Sequence, residues 1–249
     1  MRVEARAGVR RWVLDRPARR NTLDPATIAA LRGELAALAH DESVRLAELA
    51  AEGTAWCAGA DLTALSEPAP RTAALHAFAD LLADLVDAPV PVLALVDGAV
   101  IGGGVGLLCA VDLVAMGPGA SVALPEAGLG LWPMMVGALL GRVVPPRVAM
   151  ELALTARPLD ATECLRVGFA TALGTTAEVA AAPLVERVLR QGPVAVRAGR
   201  RAWRHHASLE AGDLRPRLHA LADALDVLSI GPEAAEGVAA FLQKRPPAW

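Results

Sequence analysis

Glu126 and two clusters of small residues are the parts of this chain whose types and spacing could do chemistry. Glu126 lies in Leu124-Pro125-Glu126-Ala127-Gly128-Leu129-Gly130-Leu131-Trp132-Pro133 and is the single charged residue between Leu113 and Gly141. A carboxylate in apolar surroundings resists ionisation, so its pKa rises toward the range useful for moving protons. A structural ion pair with an arginine such as Arg142 is the competing account. The first cluster is Asp97-Gly98-Ala99-Val100-Ile101-Gly102-Gly103-Gly104-Val105-Gly106, followed by an apolar run to Asp112. Glycines between a buried strand and a helix start let a ligand approach the backbone and leave N–H groups free for an anion or a developing oxyanion. A close helix–sheet contact would need the same small residues. The dinucleotide fingerprint fails, because the sixth position is Leu107 counted from Gly102 and Cys109 counted from Gly104. Gly-Lys-Ser/Thr is absent, which excludes a P-loop. The second cluster, Trp56-Cys57-Ala58-Gly59-Ala60-Asp61-Leu62, reads as a tight turn or as a second backbone donor.

Alternating strands and helices must hold these segments. Val9–Leu14 reads as a strand ending before Pro17, which cannot donate to a ladder. Asp24 and Pro25 start a helix whose apolar positions are Ile28, Leu31, Leu35 and Leu38. Leu46–Ala50 forms a strand entering the second cluster, and a helix follows from Arg71 to Val86. Val90–Val96 is apolar throughout, as expected of a strand buried on both faces. The core is therefore α/β. From Pro145 the pattern is helical: 145–154, 160–167, 176–190, 193–206, 209–228 and 232–244. A soft boundary near Gly192 divides a core of residues 1–192 from a helical region of residues 193–249. The alanine-rich helices there make weak anchors and are expected to pack on another subunit.

Composition bounds the function classes. Hydrophobic residues make up 54% of the 249 residues and charged ones 20%, which excludes global disorder. A formal net charge of -3 gives no electrostatic case for nucleic acid. The apolar stretch 88–111 is broken by Asp97 and glycines, so no membrane span is expected. Cys57, Cys109 and Cys164 are odd in number and lack metal-ligand spacing, which points to a reducing, cytoplasmic compartment and no metal site. The N-terminus does not read as a signal peptide.

Together the segments resemble the crotonase, or enoyl-CoA hydratase/isomerase, family. Cys57 to Leu62 matches its Cys-Ala-Gly-Ala-Asp-Leu loop, Gly102 to Gly104 its triple glycine, Cys109 to Leu113 its Cys-Asp-Leu-like end, and Pro125-Glu126 its Pro-Glu. Arg16-Pro17, Asn21-Thr22-Leu23, Glu236-Gly237 and Phe241 to Arg245 add matches near both ends. The resemblance implies a crotonase-like spiral of ββα units with a C-terminal α-helical trimerisation region, in homotrimers or homohexamers. It also implies a coenzyme A thioester whose carbonyl oxygen sits between the N–H groups of Ala60 and Gly103, with Glu126 as acid/base. No separate cofactor is implied, since coenzyme A is part of the substrate. Arg19, Arg20 and Lys244 fall where relatives meet the nucleotide end, and Ala58, Asp61 and Leu62 belong to the same binding loop. Asp61 and Asp112 are also expected to accept backbone N–H groups. Leu65, Gly106, Trp132 and Met135 are candidates for the acyl pocket.

The chain departs from the family pattern at one decisive place. Family hydratases use two glutamates, and the first falls on Gly106. A single carboxylate suffices for a 1,3-proton shift, which favours isomerase over hydratase. A dienoyl isomerase would need an acid at Met134, and a dehalogenase an aspartate within Trp132–Val136. Tyrosine is absent, which removes the decarboxylases that depend on one. Two alternatives remain: a hydratase using Glu126 with ordered water, and a catalytically silent acyl-CoA binder.

Overall fold

The computed structural model describes residues 1–60, 68–207 and, in the tail, 231–233, 236, 240, 243–245, 247 and 248; the side chains of 68–72 and 204–207 are outside the description. Among the described residues ten strands alternate with helices: β1 Arg2–Arg6, β2 Val9–Leu14, α1 Pro25–Ala37, β3 Leu46–Ala51, β4 Ala55–Cys57, α2 Pro68–Val86, β5 Val92–Val96, β6 Ala99–Ile101, α3 Gly103–Ala110, β7 Leu113–Met116 and β8 Ser121–Ala123. There follow α4 Met134–Leu140, α5 Pro146–Thr155, β9 Leu159–Asp160, α6 Ala161–Val167, β10 Ala172–Leu173, α7 Ala177–Leu189 and α8 Pro193–Ala207.

Two sheets share these strands, in the orders β1-β2-β3-β5-β7-β10 and β4-β6-β8-β9. Each pair β3/β4, β5/β6 and β7/β8 gives its first strand to the large sheet and its second to the small one, then continues into helix. This is the ββα spiral expected of the fold. Pairing is parallel apart from the β1–β2 hairpin and β8–β9. In β5, Val92, Ala94 and Val96 enter one core cluster while Leu93 and Leu95 enter the other, against Ala177, Ala180, Ala181 and Val185 of α7. Alternate side chains face opposite sides of a sheet, so an unbroken apolar run is what two covered faces require.

The helices begin where their caps place them. Asp24 accepts from the Thr27 N–H at 2.8 Å, and Pro25 occupies the first turn of α1. Ile28, Leu31 and Leu35 are buried along one face of α1, with Leu38 just beyond its end, and the helix packs on α2. Asp160 and Glu163 form a reciprocal capping box on α6. Asp97 accepts from the Ala177 N–H at 2.7 Å, joining the end of β5 to the start of α7. Asp112 accepts from the Val92 N–H at 2.9 Å, as expected, and also holds both oxygens at 2.9 Å from Arg200 Nε, which docks α8 on the sheet. The expected helix 209–228 lies outside the described residues, as does most of 232–244.

Candidate active site

Two loops and a helix start bring the predicted donors together. Gly59 has φ +84°, the left-handed region that favours glycine, and a Cβ built on it would lie 2.8 Å from the Ile101 carbonyl oxygen and 2.9 Å from the Gly103 nitrogen. A Cβ on Gly103 would in turn lie 3.4 Å from the Ala60 nitrogen. The backbone of the second cluster is thus in contact with the start of α3. Gly103 is the first residue of α3, so its N–H has no acceptor within the helix. Ala60 pairs with Leu23 through the Leu23 N–H, which donates to the Gly59 carbonyl at 2.9 Å, and this leaves the Ala60 N–H outside that bond. Two N–H groups on adjoining backbones, neither engaged by a bond among the described residues, are what an oxyanion needs.

The first loop sets this geometry through a residue whose role the sequence did not disclose. Asn21 is 1% exposed and has φ +53°, a conformation asparagine tolerates better than most residues. Its Oδ1 accepts from the Arg16 N–H at 2.9 Å, while its Nδ2 donates to the Glu52 and Ala55 carbonyls, each at 2.8 Å. The adjacent Arg20 carbonyl accepts from the Ala58 N–H at 3.0 Å. Asn21→Ala removes the donor to the buried Ala55 carbonyl and to the part-buried Glu52 carbonyl, and is expected to lower stability by about 1 to 3 kcal/mol, measured by urea unfolding.

Glu126 follows β8 and opens a short 3-10 turn to Leu129. Its Oε1 lies 3.2 Å from where a Cβ on Gly102 would be, and Gly102 has φ +57°, so only glycine lets the carboxylate meet this backbone. Its Oε2 is buried and has no hydrogen-bond partner among the described residues. Arg142 is exposed, and Glu126 Oε2 has no arginine partner among the described residues, which counts against a structural ion pair. Burial raises the Glu126 pKa above its ordinary value, opposed by its own backbone N–H. The other buried side-chain atoms without a partner among the described residues are nitrogens of Arg10, Arg45 and Trp56, which are hydrogen-bond donors only.

Gly106 is buried one helical turn along α3. A Cβ there would meet Leu82 Cδ2 and Phe78 Cζ at 3.3 Å and Val136 Cγ2 at 3.4 Å, so its three nearest neighbours are hydrocarbon. Trp132 is 38% exposed, and Met135 is partly buried against the core. Arg19, Arg20 and Lys244 are exposed, and Ala58 is half-buried in the donor loop. Asp61, Leu62 and Leu65 lie outside the described residues. Cys57 and Cys109 are buried thiols pushed up to about 12 by burial, which makes them inert packing groups. Among the described residues no cluster of His, Cys, Asp or Glu could hold a metal ion, and no helix is long and apolar enough to cross a membrane.

The enoyl-CoA hydratase/isomerase family profile matches residues 4–249. The chain belongs to that family. Enoyl-CoA hydratase/isomerase relatives span its whole length. It is similar to carnitinyl-CoA dehydratase of Proteus mirabilis, with 34% identity covering 100% of this chain and 97% of the relative. It is also similar to the mitochondrial enoyl-CoA hydratase domain-containing protein 3 of Danio rerio, with 29% identity covering 99% and 86%. The crystal structure of human enoyl Coenzyme A hydratase domain-containing protein 3 superposes with a TM-score of 0.94 at 25% identity, covering 100% of this chain and 99% of that one. The crotonase fold expected from the sequence is therefore the fold found.

Proposed function

We propose that this enoyl-CoA hydratase/isomerase homologue is isomerase-like and shifts a double bond in an acyl-CoA. The thioester oxygen accepts from the N–H groups of Ala60 and Gly103. Glu126 takes a proton from C2 of a 3-enoyl thioester, the charge passes to the oxygen as an enolate, and the proton returns at C4. The observation that carries this reading is that a carboxylate oxygen without a partner among the described residues adjoins the donor backbone, while the position of the other family glutamate is Gly106, whose nearest neighbours are hydrocarbon. Arg19, Arg20, Ala58, Asp61, Leu62 and Lys244 are proposed to hold coenzyme A, and Leu65, Trp132 and Met135 to line the acyl pocket beside Gly106. A homotrimer or homohexamer joined through residues 193–249 completes the proposal. Three buried free thiols fit a reducing compartment, and we propose a cytoplasmic one.

The dehydratase and hydratase names of the relatives favour a second reading, water addition or loss with Glu126 as the only carboxylate. Incubation with 3-hexenoyl-CoA and, separately, crotonyl-CoA separates the two. Conjugated product from the first substrate supports the isomerase, and 3-hydroxyacyl product from the second supports the hydratase. Tight binding with no turnover of either substrate points to a silent acyl-CoA binder.

A further inference from the structure

Phe78 packs against the turn of α3 on which the choice between proton shuttling and hydration depends. It is buried on α2, and its Cζ is 3.3 Å from the Cβ position of Gly103 and also 3.3 Å from that of Gly106. Residues three apart on a helix are neighbours on one face, so the ring tip spans from the second oxyanion donor to the missing carboxylate. Leu82 and Val136 close the other sides of Gly106. A water held in a buried site needs two to four polar partners, and this surface offers none from its side chains.

The two reactions differ in what they ask of that surface. Hydration forms a C3–O bond from water, moves the double-bond pair into the enolate and then places a proton on C2. Proton shuttling breaks a C–H bond at C2 and makes one at C4, and requires no water. Glu126 Oε1 stands beside Gly102, whereas the position of the other family glutamate is Gly106, about one helical turn along α3.

We infer that Phe78, with Leu82 and Val136, is a specificity-determining wall that keeps water from C3 of the bound acyl group. The inference rests on the proton-shuttling reading above. It also implies that restoring a glutamate at Gly106 is not enough to make a hydratase.

The first test uses the unaltered protein and 3-hexenoyl-CoA in water carrying both deuterium and heavy oxygen. The expected product carries deuterium at C4 after prolonged incubation and no heavy oxygen at C3. Both labels in the product overturn the wall and leave proton shuttling standing. Conjugated product with neither label is direct return of the C2 proton and leaves the wall standing, whereas no conjugated product at all overturns proton shuttling and the wall with it. The second test compares Gly106→Glu with the double variant Phe78→Ala/Gly106→Glu on crotonyl-CoA. Vacating the ring is expected to raise hydration about a hundredfold over Gly106→Glu alone, within the range one placed acid–base group supplies. A double variant that folds, exchanges deuterium and hydrates no faster than Gly106→Glu overturns the inference. Should the double variant not fold, the labelling result on the unaltered protein decides the question.

Discussion

Glu126→Gln is expected to lower kcat by about 10²- to 10⁴-fold, the range assigned to one positioned acid–base group, while acyl-CoA binding stays near that of the parent. Glutamine keeps the shape beside Gly102 but cannot accept the C2 proton. The parent rate is expected to fall on the acid side as Glu126 is protonated, with a midpoint above the ordinary carboxylate range because burial holds the proton on. The same variant carries a stability signature of definite sign. The folded state keeps this proton to higher pH than the unfolded chain does, so the folded state binds more protons across that window and stability declines as pH rises through it. Glutamine never ionises and escapes the decline. Glu126→Gln is therefore expected to have a higher Tm than the parent at neutral pH, with the gain disappearing below the unfolded carboxyl range. Melting curves across pH read this directly, and an unchanged or lower Tm at neutral pH would contradict the assigned environment. A functional group that costs stability is the expected trade-off at an active site.

Gly59→Ala is expected to reduce kcat/KM by about 10²- to 10³-fold, the loss associated with removing one oxyanion donor. Two causes act together. The residue has φ +84°, where an L side chain is strained, and its Cβ would fall 2.9 Å from the Gly103 nitrogen, the second donor itself. One backbone must shift, and either shift separates the pair. A side-chain substitution at Ala60 is a weaker probe because that residue acts through its backbone N–H. Gly33→Ala is the matched comparison: Gly33 is exposed within α1 with nothing within 4 Å of its Cβ position. It is expected to raise stability by about 1 kcal/mol through helix propensity and leave kinetics unchanged. Steady-state rates and urea midpoints of both variants check the pair.

How far the molecule could be read in advance follows from where each signal resides. The strand Val92–Val96, the cap of α1 at Asp24 and the capped start of α7 at Thr176 are local facts of composition and spacing, and they stand where expected. β4, β6 and β8 are three residues each, too short to show a period, yet they form the sheet that carries the donor loop and Glu126. β1 alternates charge with small residues and is exposed along its length, so it offered no apolar face to find. Glu48 is a fully buried carboxylate within β3, held by Arg6 and Arg11 from neighbouring strands, a pairing that only register reveals. The donors and Glu126 were legible through their motifs. Asn21 was visible only as one matched position, since its three bonds join segments about 5 to 34 residues away. Phe78 looked like any other apolar position on α2, as did Leu81, Leu82 and Leu85. Its importance comes from packing against α3, and no periodicity within α2 carries that information.

The proposed chemistry is one act: a proton leaves C2 of a bound thioester to Glu126 while two backbone N–H groups hold the oxygen. Exchange of a C2 hydrogen of butyryl-CoA into heavy water, followed by NMR, isolates that act because a saturated chain can neither isomerise nor hydrate. The parent protein is expected to exchange it, and Glu126→Gln to leave it in place. Tight butyryl-CoA binding by the parent with no C2 exchange would contradict the account.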